Sequence, residues 1–306
     1  MPYIVPLVLF FFALNVAGFQ NRKTWSFREP NFRYYAASLD KNQFAETSLL
    51  SGEISKLKYE IMQLGAALDR GQAYNPTSGE YYGTKMKFAK SKIENLIKSG
   101  STRKRIESLD EINGEWELVL STVPHGIFRS SPFFLAIQEA YAIAGEPEKA
   151  SLFFKLHELQ TCSWGISKVG RVAQLINATE GTLTSEFDTS IFSLTVIPIL
   201  GWFKLLPTFG GRVVTVSKAK VQDSKILLEV DYTTSRPVEG LQGLGEAIWG
   251  LKVPVGAIWR LLPWNRGRAA TATITVRYAD DDFRVMEDLD GELFVYTKPV
   301  FIEQNS

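Results

Sequence analysis

Histidine and cysteine carry much of protein catalysis and metal binding, and this chain has few of them. It contains two histidines, His125 and His157, and one cysteine, Cys162. A Ser-His-Asp hydrolase needs a histidine beside its nucleophile, and the sequence has no G-x-S-x-G motif. The three residues also lack the spacing of a structural zinc site. We therefore expect both histidines to be packed or surface residues, and we expect no enzyme.

Two further motifs resemble cofactor sites without meeting their requirements. Asp280, Asp281 and Asp282, with Asp288 and Asp290 close behind, lack the D-x-D-x-D-G core of a calcium loop, so a hairpin turn with solvated carboxylates is favoured. The glycine-rich GLQGLG at 240–245 is not in the G-x-G-x-x-G order and has no strand-to-helix context. No cofactor and no metal are expected, and this glycine-rich segment is interpreted as a flexible lid.

Aromatic and arginine side chains indicate a different chemistry, the binding of an apolar molecule with a polar group. Arg129, Arg171 and Arg284 could each pair with a lipid headgroup or a quinone oxygen, or bridge to a nearby carboxylate in a structural role. The residues expected to line a cavity are Trp116, Tyr232, Ile274, Val276, Tyr278, Phe294 and Tyr296. Burial of a ligand against such walls contributes about 25 cal/mol per Å². The alternative is that these side chains simply fill the interior.

The elements that must position these residues are predicted to be β-strands. From Gly114 onward apolar and polar residues alternate, as in Ile226, Leu228, Val230 and Tyr232, which is typical of half-buried antiparallel strands. Eight or nine short strands favour a sandwich or a closed barrel, and a barrel of about eight strands has room for one small ligand. The predicted fold is mainly β, an antiparallel lipocalin-like β-barrel over residues 111–300.

Helices are predicted before the barrel and at its end. Apolar residues at helical spacing indicate a helical pair over residues 50–110, packed outside the barrel. In the FRSSPFF stretch at 128–134, Ser131 is expected to cap a helix whose first residue is Pro132. This helix is expected to lie across one barrel end. The phenylalanines expected to face the ligand or a lipid surface are Phe128, Phe133 and Phe134.

A second insertion, residues 238–264, is glycine-rich and strongly apolar. It could close the barrel mouth or lie on a lipid surface. In the second arrangement Trp249, Trp259 and Trp264 would lie at headgroup depth, with Lys252 and Arg260 extending outward.

Charge and the N-terminus bear on partners and location. The net charge of +1 provides no long-range field to attract nucleic acid. Residues 1–18 have the shape of a signal peptide, and residues 19–49 are rich in arginine and lysine, as transit peptides are. The pairing resembles the bipartite leader of algae with secondary plastids, in which an aromatic residue, here Phe19, follows the cleavage site. An ordinary secretory signal or an uncleaved anchor is the alternative.

Motifs in one order along residues 50–298 resemble the plastid lipid-associated protein, or fibrillin, family. They are LDRG at 68–71, NGEWELVLST at 113–122, FRSSPFF, GRVAQLIN at 170–177 and RYADDDFRVMEDLDGELFVYTK at 277–298. Ala279, Val285 and Glu287 depart from the family pattern, the last at a place where an arginine usually recurs.

The resemblance implies a non-enzymatic barrel that binds isoprenoids, quinones, carotenoids or fatty-acid-type molecules in a plastid. It also implies association with thylakoid or plastid lipid-droplet (plastoglobule) surfaces. Two alternatives remain: an enzyme or enzyme accessory acting on an isoprenoid or fatty-acid-derived substrate, and a secreted lipocalin-type carrier.

Overall fold

Eight antiparallel strands close into a barrel in the computed structural model of the protein. The structure describes residues 41–74, 77, 79–100, 105–162, 167–191, 196–197, 203–204, 209–238, 251–261 and 267–300. The cleavage site proposed before Phe19 and most of the leader itself lie outside these residues. The mainly β, antiparallel barrel that the sequence predicted is confirmed.

The strands vary in length and follow one another around the barrel in a simple order. The barrel strands are β1 (Gly114–Ser121), β2 (Ser167–Asn177), β3 (Thr182–Ile191), β6 (Phe209–Gln222), β7 (Lys225–Arg236), β8 (Thr271–Ala279), β9 (Phe283–Glu287) and β10 (Leu293–Thr297). Neighbours run in the order β1-β10-β9-β8-β7-β6-β3-β2. Two further strands, β4 (Val196–Ile197) and β5 (Phe203–Lys204), pair only with each other.

Register shifts in four strand pairs, one of them between Val169 and Val172 of β2, change which side chains face inward. The register shifts between Leu118 and Leu120 in β1, and between Val276 and Tyr278 in β8. A third shift lies between β6 and β7, where Asp231 of β7 is the extra residue between Val230 and Tyr232. Because each bulge adds one residue to the strand, the residues beyond it have the opposite facing from a strict alternation.

Two helices, α1 (Lys41–Ala67) and α2 (Gly79–Ser99), pack on the outer face of the barrel. Their buried residues recur every three or four positions, as an amphipathic helix requires. The helix residues of this cluster are Ile54, Leu57, Ile61, Tyr82, Met86, Ala89, Ile93 and Leu96. The barrel contributes Leu120, Tyr278, Phe283, Val285, Leu293 and Val295. The helical backbone begins at Lys41, earlier than the sequence pattern suggested.

An ion pair between Lys58 of α1 and Asp280 attaches the helical pair to the turn between β8 and β9. The Lys58 Nζ lies 2.7 Å from an oxygen of Asp280. The other oxygen accepts the Phe283 N–H at 3.0 Å. Burial alone would raise the pKa of Asp280, but the hydrogen bonds from Lys58 and Tyr278 hold it well below its usual range.

Replacing Asp280 with asparagine is expected to lower the free energy of unfolding by about 1–3 kcal/mol at pH 7, since bonds to a charged group are lost. A carboxylate with a lowered folded pKa contributes stability above its unfolded pKa of about 3.9, and this is lost as the pH falls further. The Asp280→Asn defect should therefore shrink between pH 6 and pH 3 in urea titrations. Asp281→Asn, at an exposed neighbour, is the matched control and should change little at any pH. A pH-independent Asp280→Asn defect would contradict this prediction.

Long connections leave from one end of the barrel, which we call the covered end. Here β1 is joined to β2 through a 3-10 turn (Ile127–Ser130), α3 (Pro132–Ile143) and α4 (Pro147–Cys162). Helix α3 contacts β6, β7 and β8, and α4 contacts β2. Ser131 precedes Pro132 as predicted, but the predicted capping bond is wrong, because the buried Ser131 hydroxyl has no hydrogen-bond partner.

The other end, the turn end, has short connections. The strands β2 and β3, β6 and β7, and β8 and β9 are joined there by connections of two to four residues. A short 3-10 helix, Leu109–Ile112, precedes β1 and contacts β2 and β6. Its residue Ile112 is fully buried in the same hydrophobic cluster as the interior side chains. The turn end is therefore the closed end of the described barrel.

The pairing between β7 and β8 covers only part of β7. It joins 225–229 to 271–275, and beyond Glu229 the two strands do not pair. Thr233 of β7 instead exchanges two backbone hydrogen bonds with Val253, which precedes α5 (Val255–Leu261). Gly256 lets α5 approach closely, since a Cβ there would lie 2.3 Å from the Val230 carbonyl oxygen. The insertion thus completes the wall of the barrel at this seam.

Candidate functional site

A row of buried polar side chains crosses four neighbouring strands inside the barrel. Gln174 of β2 is the register partner of Ser185 in β3, which is the partner of Thr215 in β6, which in turn faces Thr233 in β7. All four are buried, and the Thr215 and Thr233 hydroxyls lie 3.3 Å apart. Buried polar groups are costly unless they are hydrogen-bonded, so a continuous row of them is a feature to be explained.

Arg284 of β9 is the charged member of this interior. Its side chain is fully buried, and one nitrogen, Nη2, donates to the Gln174 Oε1 at 2.7 Å. The guanidinium carbon lies 4.7 Å from the ring centre of Trp116 and 4.7 Å from that of Tyr296. The cation therefore lies over two aromatic rings, a stabilising arrangement in a site shielded from water.

Most of the hydrogen-bonding capacity of Arg284 is unused. Its Nε and Nη1 have no hydrogen-bond acceptor, and Arg284 makes no ion pair within the described part of the chain. Burial lowers the pKa of Arg284 to about 10, so the side chain remains protonated at neutral pH. A buried positive charge with three free N–H groups is the main electrostatic feature of the interior.

Tyr296 and Ser130 lie at the edge of this site. Burial raises the pKa of Tyr296 to about 12, although the charge of Arg284 opposes that rise. The Tyr296 hydroxyl has no hydrogen-bond partner among the described residues. The Ser130 carbonyl oxygen accepts the Gln174 Nε2 at 3.1 Å. The segment before α3 therefore reaches into the barrel and holds the amide that Arg284 contacts.

A second cation lies on Trp116. The Lys298 Nζ is 4.3 Å from the Trp116 ring centre, and Lys298 also donates to the carbonyl oxygen of Asn113. Burial lowers the pKa of Lys298, and the charge of Arg284 lowers it further. The Trp116 Nε1 donates to the Ile112 carbonyl oxygen at 2.9 Å, which fixes the ring that both cations contact.

The rest of the interior is apolar. Its members come from seven strands and belong to the same buried cluster as Trp116 and Tyr296. They are Leu118, Val172, Ile176, Leu183, Phe187, Ile226, Leu228, Ile274, Val276, Met286 and Phe294. An interior with one apolar wall and one polar row suits an amphipathic molecule better than a purely apolar one.

The structure brings together some of the predicted lining residues and separates others. Trp116, Phe294 and Tyr296 lie inside with Ile274 and Val276, as expected. Tyr278 faces outward and packs against α1 and α2, and Tyr232 lies outside beneath Lys252, whose Nζ is 4.7 Å from its ring. Both interior assignments were wrong, because a bulge precedes each tyrosine and reverses its facing.

Two of the three candidate arginines form ion pairs instead of facing the interior. Arg129 lies 3.0 Å from Asp288 and 2.9 Å from Asp290. Arg171 pairs with Glu115 and Glu117 on the outer side of β1. These contacts give both residues the structural role that the sequence left open. Arg284 is the candidate that the structure places in the interior.

The predicted phenylalanines and tryptophans differ in exposure. Phe128 and Phe134 are buried and lie with their ring centres 4.8 Å apart, whereas Phe133 is partly buried against the same cluster. Trp259 is only 6% exposed, so in this conformation it cannot contact lipid headgroups, and that assignment was wrong. Trp249 and Trp264 lie outside the described residues.

Sequence reasoning missed several residues of this site: Ser130, Gln174, Ser185, Thr215, Thr233 and Lys298. Serine and threonine at alternating strand positions normally indicate a solvated face, so their pattern gave no interior signal. Gln174 lies within the GRVAQLIN motif, flanked by apolar residues, and this was the one signal that could have identified it.

Two cavities lie among the described residues. One, of about 250 Å³, is lined by α3 residues and by Trp259, Arg268, Ala269 and Thr271. The other, of about 380 Å³, lies beside Gly100 and the β6–β7 turn. Within the described residues, no three or more His, Cys, Asp or Glu side chains are arranged to hold a metal ion.

No described helix combines the length and apolar character needed to span a membrane. In comparisons with known proteins, no family model, no curated protein and no solved structure matches this chain.

Proposed function

We propose that this protein is a non-enzymatic, lipocalin-like carrier of the plastid lipid-associated type. It binds one hydrophobic molecule of the isoprenoid, quinone, carotenoid or fatty-acid class inside the barrel. It acts in the plastid, on thylakoid or lipid-droplet surfaces. The order of the fibrillin-like motifs and the two-part leader support the family and the location.

The observation that carries the binding proposal is the composition of the interior. Arg284 and the polar row face an apolar wall in one barrel, and several of these polar groups have no partner. Like Nε and Nη1 of Arg284, three buried hydroxyls have no hydrogen-bond partner: those of Ser185, Thr189 and Ser217. A structural core gains nothing from unpaired polar groups, whereas a binding site needs a few free ones to orient its ligand.

Exposed apolar residues support the association with a lipid surface. Leu261 in α5 is 82% exposed, and Leu251, also in the insertion, is 53% exposed. Ile143 at the end of α3 is exposed on the same, covered end of the barrel. Exposed apolar side chains at this end, with Arg260 next to Leu261 in the chain, favour docking of the covered end on a lipid boundary.

Lipid extraction from the natively purified full chain tests the binding proposal. Mass spectrometry of the extract should show one hydrophobic molecule in near-stoichiometric amount. Ser185→Leu, which fills the interior, should reduce that amount several-fold. Thr184→Leu, on the opposite face of the same strand, is the matched control and should retain it. Absence of lipid from the wild-type protein, or equal loss in both variants with intact circular dichroism, would contradict the proposal.

Localisation distinguishes this proposal from a secreted carrier. A full-length fusion to a fluorescent protein in an alga with a secondary plastid should accumulate in the plastid. Accumulation in the medium would instead support the secreted carrier.

A further inference from the structure

The geometry points to a carboxylate as the polar group of the ligand: we propose that the site takes a single-chain apolar acid whose carboxylate pairs with Arg284. This inference rests on the proposed function and specifies its ligand. The feature behind it is the incomplete set of contacts around the guanidinium.

The partners of Arg284 contact its guanidinium but carry no negative charge to balance it. Gln174 accepts one hydrogen bond, and the guanidinium carbon lies over the rings of Trp116 and Tyr296. Neither an amide nor an aromatic ring carries a negative charge. The edges of the guanidinium at Nε and Nη1 remain free, and those edges are where an oxygen acceptor would bind.

The neighbouring charges make the interior more positive still. The Lys298 Nζ lies 4.3 Å from the centre of the same Trp116 ring that Arg284 contacts, so a second cation stands close to the guanidinium. Asp281 is the acid that acts on Lys298, and it lies on the exposed turn. No described carboxylate is paired with Arg284, so an incoming anion meets no competitor.

A carboxylate fits this position better than a neutral oxygen. A quinone or ester carbonyl could accept a hydrogen bond from Nε or Nη1, yet it would leave the buried charge uncompensated. A carboxylate accepts several hydrogen bonds and neutralises the cation at once. The Tyr296 hydroxyl, which is also without a partner, can donate to the same anion.

The test compares two probes that differ only in charge, cis-parinaric acid and its methyl ester. Both fluoresce when their apolar chain is buried, so titration of the full-length protein, freed of lipid, gives both dissociation constants. We expect the acid to bind at least tenfold more tightly than the ester. Because this comparison uses only wild-type protein, it does not depend on the folding of a variant.

Two variants then assign the preference to one residue. Arg284→Met preserves the unbranched, largely apolar stem of the side chain and removes the charge, and it should bring the two dissociation constants within about twofold while the ester still binds. Arg277→Met removes an exposed arginine of β8 that pairs with Glu287, and it should leave the preference unchanged. The acid should raise the Tm of the wild-type protein more than that of Arg284→Met, whereas the ester should raise both to a similar extent.

Each outcome has a distinct meaning. Equal binding of acid and ester by the wild type would overturn the carboxylate inference and leave the proposed function standing. An acid preference that survives in folded Arg284→Met would overturn the assignment to Arg284. Failure of both probes to bind would overturn the proposed function itself.

Discussion

Replacing Phe134 with alanine is expected to lower the free energy of unfolding by about 3–5 kcal/mol, as for other buried phenylalanines. Phe134 is 5% exposed, and its ring centre lies 4.8 Å from that of Phe128. The rings of Phe153 and Phe154 in α4 lie 6.3 Å and 6.4 Å away. The side chain therefore joins both helices of the covered end, and its removal leaves a cavity among four aromatic rings.

Phe133→Ala is the matched control for this prediction. Its ring contacts Phe134 from one side, 5.4 Å between centres, but it is only partly buried. The expected loss is therefore at most about half of that for Phe134→Ala. Guanidinium chloride unfolding of both variants would measure the difference. Equal and small losses would show that the two rings are exposed to ligand or lipid, as the sequence had suggested.

Arg129→Ala should have a comparable effect for an electrostatic reason, about 3–5 kcal/mol at pH 7. The Asp288 carboxylate has no solvent exposure, and it receives hydrogen bonds from Arg129 and Gln138 on one oxygen. The other oxygen accepts the amides of Asp290 and Glu292, which shapes the β9–β10 turn. Without Arg129, a buried negative charge would remain without a counter-ion.

The pH dependence identifies this cause. Burial raises the pKa of Asp288, and the charge of Arg129 opposes that rise. Loss of Arg129 should raise the folded pKa further above the unfolded value, so the variant loses stability as the pH rises through that pKa. The Arg129→Ala defect should therefore be smaller at pH 4 than at pH 7.

Asp290→Asn is the control for the Arg129 experiment, because Asp290 contacts the same guanidinium from a half-exposed position. Exposed ion pairs contribute about 0–1 kcal/mol, so this variant should remain near wild-type stability. A defect as large as that of Arg129→Ala would show that the exposed contact, not the buried one, stabilises the turn.

The sequence predicted the barrel because most of its strands keep a strict alternation of apolar and polar residues. In β8, Ile274 and Val276 alternate with threonines and lie inside as expected. The pattern continues unbroken to Tyr278, yet the chain inserts a bulge before it. The residue types do not reveal this bulge. Tyr278 faces outward, but α1 and α2 bury it as well as the barrel interior would.

The polar half of the interior was beyond sequence reasoning for a related reason. Arg284 follows three aspartates and a phenylalanine, a context typical of an exposed turn, and neither alternation nor charge indicates its complete burial. Its site depends on Gln174 from β2, Trp116 from β1 and Tyr296 from β10, which are adjacent only once the barrel has closed. The phenylalanine-rich helix was easier to predict from the sequence, since helix-start residues and apolar spacing are local signals.

The pairing of β1 with β10 also determines when the fold can be completed. β10 contains the last barrel residues to leave the ribosome, and β1 the first, so the final seam joins distant parts of the chain. Assembly dominated by such contacts is intrinsically slow, and until the seam forms two strand edges remain open. For a polypeptide imported through membranes, as proposed, late closure keeps the nascent chain unfolded enough to pass through a translocon. The same delay makes chaperone protection of those edges important during transit.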